Sequence, residues 1–218
     1  MASLYYGLGV LLVMSLFVAS SALAEPLHDA VLIGDIDQIN QLLAKGADVN
    51  VRDQDGFIPL HRATVRGDTA AAALLLANGA DVDARSKDGF APLHVAAVQG
   101  DTAIAALLLA NGADVDARHK DGITPLLFAT VQGYTAVAEL LLAKGADVNA
   151  RDMFGNTPLS HAITKGNIAL VKLLLAKGAD VGAKTSSGRT PLALAVSLPE
   201  QRVAKDMAKL LRQYGAKK

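Results

Sequence analysis

Polar punctuation divides this chain into periods of 33 residues. Gly-Ala-Asp-Val begins at Gly46, Gly79, Gly112, Gly145 and Gly178. Pro-Leu recurs at Pro59-Leu60, Pro92-Leu93, Pro125-Leu126, Pro158-Leu159 and Pro191-Leu192, with Pro26-Leu27 as a first copy, and Gly34, Gly67, Gly100, Gly133 and Gly166 keep a third register. The residues between these marks predict two helices per period. Proline suits the first turn of a helix, where its missing N–H has no partner to lose, so Pro92 to Val98 is a short first helix that Gly100 ends. Asp68 or Asp101 then supplies an N-cap oxygen to a second helix such as Thr102 to Ala110. That helix stops at Asn111-Gly112, where glycine tolerates a left-handed C-cap. Ala-Asp-Val-Asp-Ala-Arg and the Asp-Gly after it make an extended turn into the next period. The last period is longer: its final helix sets Val203, Met207, Leu210, Leu211 and Tyr214 on one face and leaves Lys205, Lys209 and Arg212 to solvent.

Asp88-Gly89-Phe90-Ala91-Pro92-Leu93-His94-Val95-Ala96-Ala97, followed by Leu108-Leu109-Ala110-Asn111-Gly112-Ala113-Asp114-Val115-Asp116-Ala117, resembles the ankyrin repeat, whose pattern is D-x-x-G-x-T-P-L-H-x-A-A and then L-L-x-x-G-A-D-V-N-A. The resemblance runs over nearly all of Pro26 to Ala216. It implies an all-α solenoid of helix-turn-helix repeats with short β-hairpin-like turns. The six repeats fall at about 25–54, 55–87, 88–120, 121–153, 154–186 and 187–218, the outermost acting as caps. The pattern's threonine is present as Thr124, Thr157 and Thr190 but is Ile58 and Ala91 in two earlier repeats, where its helix-end hydrogen bond is expected to be missing.

Residues 1–24 carry no charged side chain, hold an apolar core from Leu8 to Val18, and end in Ala22-Leu23-Ala24, the small-residue pattern before a signal-peptidase cut. They read as a signal peptide, with residues 25–218 as the repeat domain. The positive leading segment that usually accompanies such a peptide is missing, and the alternative is an uncleaved membrane anchor, since about 20 uncharged residues can span a bilayer. The expected location is periplasmic or secreted, with a bacterial periplasm as the setting.

Composition narrows the chemistry. Hydrophobic residues make up 51% of the chain and aromatic ones only 4%, so the interior must be built from Ala, Leu and Val. There is no cysteine, which removes disulfides and thiolate chemistry. A formal net charge of zero gives no reason to expect nucleic acid as a partner. His28, His61 and His94 share one repeat position, where the resemblance implies a structural hydrogen bond; repeats about 10 Å apart cannot share one zinc. His119 lies in a turn between repeats and His161 on a first helix, neither with a ligand-spaced companion. Asp114-Val115-Asp116 opens like a calcium loop, but His119 and Pro125 stand where such a loop needs Gly and Glu. No cofactor, no metal and no enzymatic activity are expected.

The expected function is binding of another protein, with inhibition or stabilisation of a partner enzyme as one use and a membrane-tethered scaffold as the alternative. In ankyrin arrays the turns and first helices form a concave binding face, so departures from repetition mark the candidates. After each turn glycine the series runs Phe57, Phe90, Ile123, Asn156, Arg189; near the end of the first helix it runs Leu32, Val65, Val98, Val131, Thr164. Phe57, Phe90, Ile123, Val65, Val98 and Val131 are therefore the candidate apolar strip, with Arg66, Gln99, Gln132 and Tyr134 around it; ordinary packing between repeats is the competing reading. Residues 25–54 carry net charge −4 and residues 187–218 net +5, an asymmetry that orients a partner, favours head-to-tail contact, or is merely solvated surface. A monomer is the expected state.

Overall fold

The computed structural model describes residues 26–216, and the leader inferred from residues 1–24 lies outside them. Twelve helices and no strand occur among the described residues, in six antiparallel pairs. The first helices are α1 (Pro26–Ile33), α3 (Pro59–Arg66), α5 (Pro92–Gln99), α7 (Pro125–Gln132), α9 (Pro158–Thr164) and α11 (Pro191–Val196). Their partners are α2 (Ile36–Ala44), α4 (Thr69–Ala77), α6 (Thr102–Ala110), α8 (Thr135–Ala143), α10 (Ile168–Ala176) and α12 (Gln201–Gln213). First helices of successive repeats pack on one another more extensively than second helices do, which puts the first helices on the inside of the curve.

Each pair is bounded as its residues dictate. Proline opens every first helix. Asp35, Asp68, Asp101 and Asn167 cap the second helices, their side-chain oxygens accepting from the N–H groups of Gln38, Ala71, Ile104 and Leu170 at 2.9–3.0 Å. Thr124, Thr157 and Thr190 cap their first helices through Oγ1. Where the threonine is replaced, the fold closes the helix end differently. The N–H groups of Ile58 and Ala91 donate to Nδ1 of His61 and His94 at 3.2 and 3.0 Å, so the histidine supplies a bond at the end the threonine would have served.

The turns are hairpin-like without forming strands: the N–H groups of Asp53, Ser86, His119, Asp152 and Thr185 donate to the carbonyls of Phe57, Phe90, Ile123, Asn156 and Arg189. Two side-chain ladders tie repeat to repeat along these turns. Arg52, Arg85 and Arg151 donate to the carbonyls of Arg85, Arg118 and Lys184, each 33 residues on. Asn50, Asp83, Asp116 and Asn149 accept from the N–H of Asp81, Asp114, Asp147 and Asp180. Gly182 occupies the next position of the second ladder and ends it.

The core is aliphatic, as the composition requires, and runs unbroken from Leu27 to Leu211. In α12 Met207 and Leu211 are buried and Val203 and Leu210 half-buried. Tyr214, expected on the same face, is 47% exposed because the helix ends at Gln213 and the tyrosine lies past its last turn. The second helices present Ala70, Ala73, Ala77, Ala103 and Ala110 to solvent, and Ala106 is half-buried.

Candidate interaction surface

The three equivalent histidines are staples between repeats. Because Nδ1 of His61 and His94 accepts a backbone N–H, the neutral ring carries its proton on Nε2 and donates it onward. His61 reaches the Phe90 carbonyl at 3.0 Å, and His94 reaches those of Ala117 at 2.9 Å and Ile123 at 3.2 Å. His28 Nε2 makes the same contact with the Phe57 carbonyl at 3.0 Å. Burial pushes His61 down to about 4 and His94 down to about 3, so both are neutral at physiological pH. Leu127, Ser160 and Ala193 stand at this position in the later repeats, which lack the staple.

The apolar members of the candidate strip lie inside the stack. Phe57, Phe90, Ile123, Val98 and Val131 are buried, and Val65 is half-buried. The phenylalanine rings meet the structural histidines edge-on, Phe57 against His61 at 5.1 Å and Phe90 against His94 at 6.2 Å. Phe90 also stacks on Phe128 at 5.7 Å and meets His119 at a tilt, centroids 4.4 Å apart. Phe57 and Phe90 fold onto their own first helices, and Phe128 of the next repeat covers Phe90 further; these buried side chains present no apolar strip to an incoming chain. The polar members are the accessible ones: Arg66, Gln99 and Tyr134 are exposed and Gln132 is half-buried. They sit at the junctions between paired helices. Arg66 donates to the Leu32 carbonyl and Gln99 to the Val65 carbonyl, each reaching back to the preceding repeat.

Tyr134 breaks a rule that its neighbours keep. It occupies the N-cap position held by Asp35, Asp68, Asp101 and Asn167, and no side-chain bond closes α8. Its ring covers Gly100, with ring atoms 2.9 Å from where a Cβ would stand, and is 39% exposed.

Sequence reasoning missed a set of pairs between turn and first helix. Asp53 is bonded to Arg62, whose guanidinium lies 5.2 Å from the Phe57 ring centroid. Asp152, its side chain fully buried, accepts from His161 Nε2 and Asn156 Nδ2 at 3.0 Å and from the N–H groups of Phe154 and Asn156 at 2.8 Å. Between them His119 packs on Phe128 at 6.1 Å, with Nδ1 accepting the Asp121 N–H at 3.2 Å. All three pairs join residues nine apart at one repeat position, so aligning the periods on each other, rather than searching each histidine for ligand spacing, would have found them. No group of three or more ligating side chains comes together among the described residues. A cleft of about 160 Å³ between Lys165, Leu198, Pro199, Glu200 and Val203 falls below the roughly 300 Å³ at which ligand sites begin. No helix among the described residues is long and apolar enough to cross a membrane.

Family models agree with the architecture. One described as ankyrin repeats in three copies matches residues 27–119 and 103–152, and one described as ankyrin repeats in many copies matches residues 133–195. A comparison with curated proteins found no match.

Proposed function

The chain belongs to the ankyrin-repeat family, and from that premise we propose that it is an exported module that binds another protein along the junctions of its paired helices. Arg66, Gln99, Gln132 and Tyr134 make the contact, and Phe57, Phe90, Ile123, Val65, Val98 and Val131 hold the platform beneath them. One observation carries this reading. Tyr134 stands where aspartate or asparagine would stabilise the helix by about 1 kcal/mol, and it leaves a large ring on the surface instead. The ring packs one side on Gly100 and keeps the other exposed; a residue that gives up a local cap is where function is expected, and tyrosine is a favoured anchor in protein interfaces.

The uncharged leader with its Ala22-Leu23-Ala24 terminus supports export to a periplasm or the exterior, where a cysteine-free chain is indifferent to oxidation. There the module inhibits or stabilises a partner enzyme. The length of the same uncharged stretch supports the second reading, a scaffold tethered by an uncleaved anchor. Mass spectrometry of the N-terminus separates the two: a mature chain starting at Glu25 supports the soluble module, an intact Met1 the tether. The binding test is capture from the native envelope fraction with the wild type and with Tyr134→Asp, shown to be folded by circular dichroism. A protein held by the wild type and lost by the variant is the expected result, and recovery of nothing by the wild type would overturn the proposal.

A further inference from the structure

The repeat register defines what one repeat does to its neighbours, and at the two ends of the stack it leaves complementary positions uncovered. At the sixth residue of the first helix stand Val31, Thr64, Ala97, Thr130, Ile163 and Val196. The first five, each with a further repeat after it, are buried, whereas Val196, in the last repeat, is 58% exposed. At the eighth residue, Arg66 and Gln99 reach back to the carbonyl of the seventh residue of the repeat before. Ile33 holds that backward-facing position in the first repeat and is 68% exposed. A stack continued by one more repeat would bring an eighth-position side chain to the carbonyl of Ser197, directly beside Val196.

Charge favours the same joint. The first repeat exposes Asp29, Asp35, Asp37 and Asp48 against Lys45 and Arg52, and α12 exposes Arg202, Lys205, Lys209 and Arg212 against Asp206. Opposite fields at two ends of one molecule attract head to tail, and that attraction is screened by salt.

We infer that a second copy of this chain docks head to tail, seating Ile33 beside Val196 and extending the solenoid across the joint. The contact is heterologous, so it grows as an open chain of copies and not as a closed pair. It is a weak association, and the monomer expected from the sequence is its dilute state.

Sedimentation velocity on the purified chain, with its N-terminus read by mass spectrometry, tests this. At on the order of 200 µM and about 10 mM salt the weight-average mass should be about twice that of the monomer, as a stepwise Kd on the order of 200 µM gives. It should return to the monomer value at about 500 mM salt. A head-blocked variant, Ile33→Lys with Asp37→Lys, and a tail-blocked variant, Val196→Lys, each retain one working end. All three changes are at exposed positions, and lysine at 33 matches Lys165 at the same register; circular dichroism identical to the wild type confirms their fold. Each should sediment as a monomer alone, and their mixture should form a one-to-one dimer and nothing larger. Monomeric wild type at low salt, blocked variants that still associate by themselves, or a mixture that stays monomeric would each overturn the inference.

Discussion

Lowering the pH from about 8 to about 5 asks two imidazoles to take up protons that the folded chain cannot accommodate. His61 and His94 are held down to about 4 and about 3 chiefly because burial strips the cation of water. An unfolded histidine titrates near 6.5. A base whose folded pKa is depressed contributes stability above its unfolded value and loses it as pH falls below that value toward the folded one. At about pH 5 the unfolded chain holds nearly a full proton on each ring and the folded chain almost none. The loss relative to about pH 8 is thus about 2 kcal/mol per histidine, about 4 kcal/mol for the two, a large share of the 5–15 kcal/mol typical of a folded domain. Urea unfolding followed by far-ultraviolet circular dichroism at the two pH values measures this. The control comes from the protein's own fourth repeat, where Thr124 and Leu127 stand in place of the histidine device. A variant with Ile58→Thr, His61→Leu, Ala91→Thr and His94→Leu should lose most of its pH dependence. His119, lowered in the same direction by burial, leaves a smaller residue. Equal pH dependence in the wild type and the variant would refute the assignment of acid sensitivity to the two staples.

Three further outcomes are expected. Tyr134→Asp should restore the missing cap on α8 and raise unfolding stability by about 1 kcal/mol, read as a shift in urea midpoint at unchanged slope. Gly100→Ala should destabilise by roughly 2 kcal/mol, because φ is +75° and the new methyl meets the Tyr134 ring; the penalty should shrink in a Tyr134→Asp background, giving a measurable coupling in a double-mutant cycle. Asp152→Ala should cost about 3 kcal/mol by leaving four donors around a buried site without their acceptor, with amide exchange accelerating first at Phe154 and Asn156.

What was legible in the sequence was whatever repeated. Proline, glycine and the capping aspartates recur at fixed spacing and act locally, so the helix order and the caps of α4 and α6 follow from the residues alone. The candidate surface was less legible because periodicity shows that Phe57, Phe90 and Ile123 vary from repeat to repeat, not which way they face. Their burial depends on the neighbouring repeat's turn and on the imidazole edge beside them, both remote in sequence. The replacement of threonine by histidine at the helix start was half visible: the missing threonine could be read at Ile58 and Ala91, but its compensation needed the ring of His61 or His94 to be placed three residues away with the right nitrogen forward. Tyr134 was visible as an odd residue, and its meaning emerged only when Asp35, Asp68, Asp101 and Asn167 were seen to be capping.

The histidine staples are confined to one half of the molecule. His28, His61 and His94 stitch the first four repeats together through buried bonds, and Leu127 and Ser160 leave the later joints to side-chain packing and the outer ladders. In a linear array each repeat depends on its immediate neighbours, so at neutral pH the chain should peel from its C-terminal end. Acid attacks the joints that His61 and His94 close and spares those that never had such a bond. Below the pH at which these two imidazoles begin to demand protons, the order of unravelling should reverse, and the half that was firmest would become the first to let go.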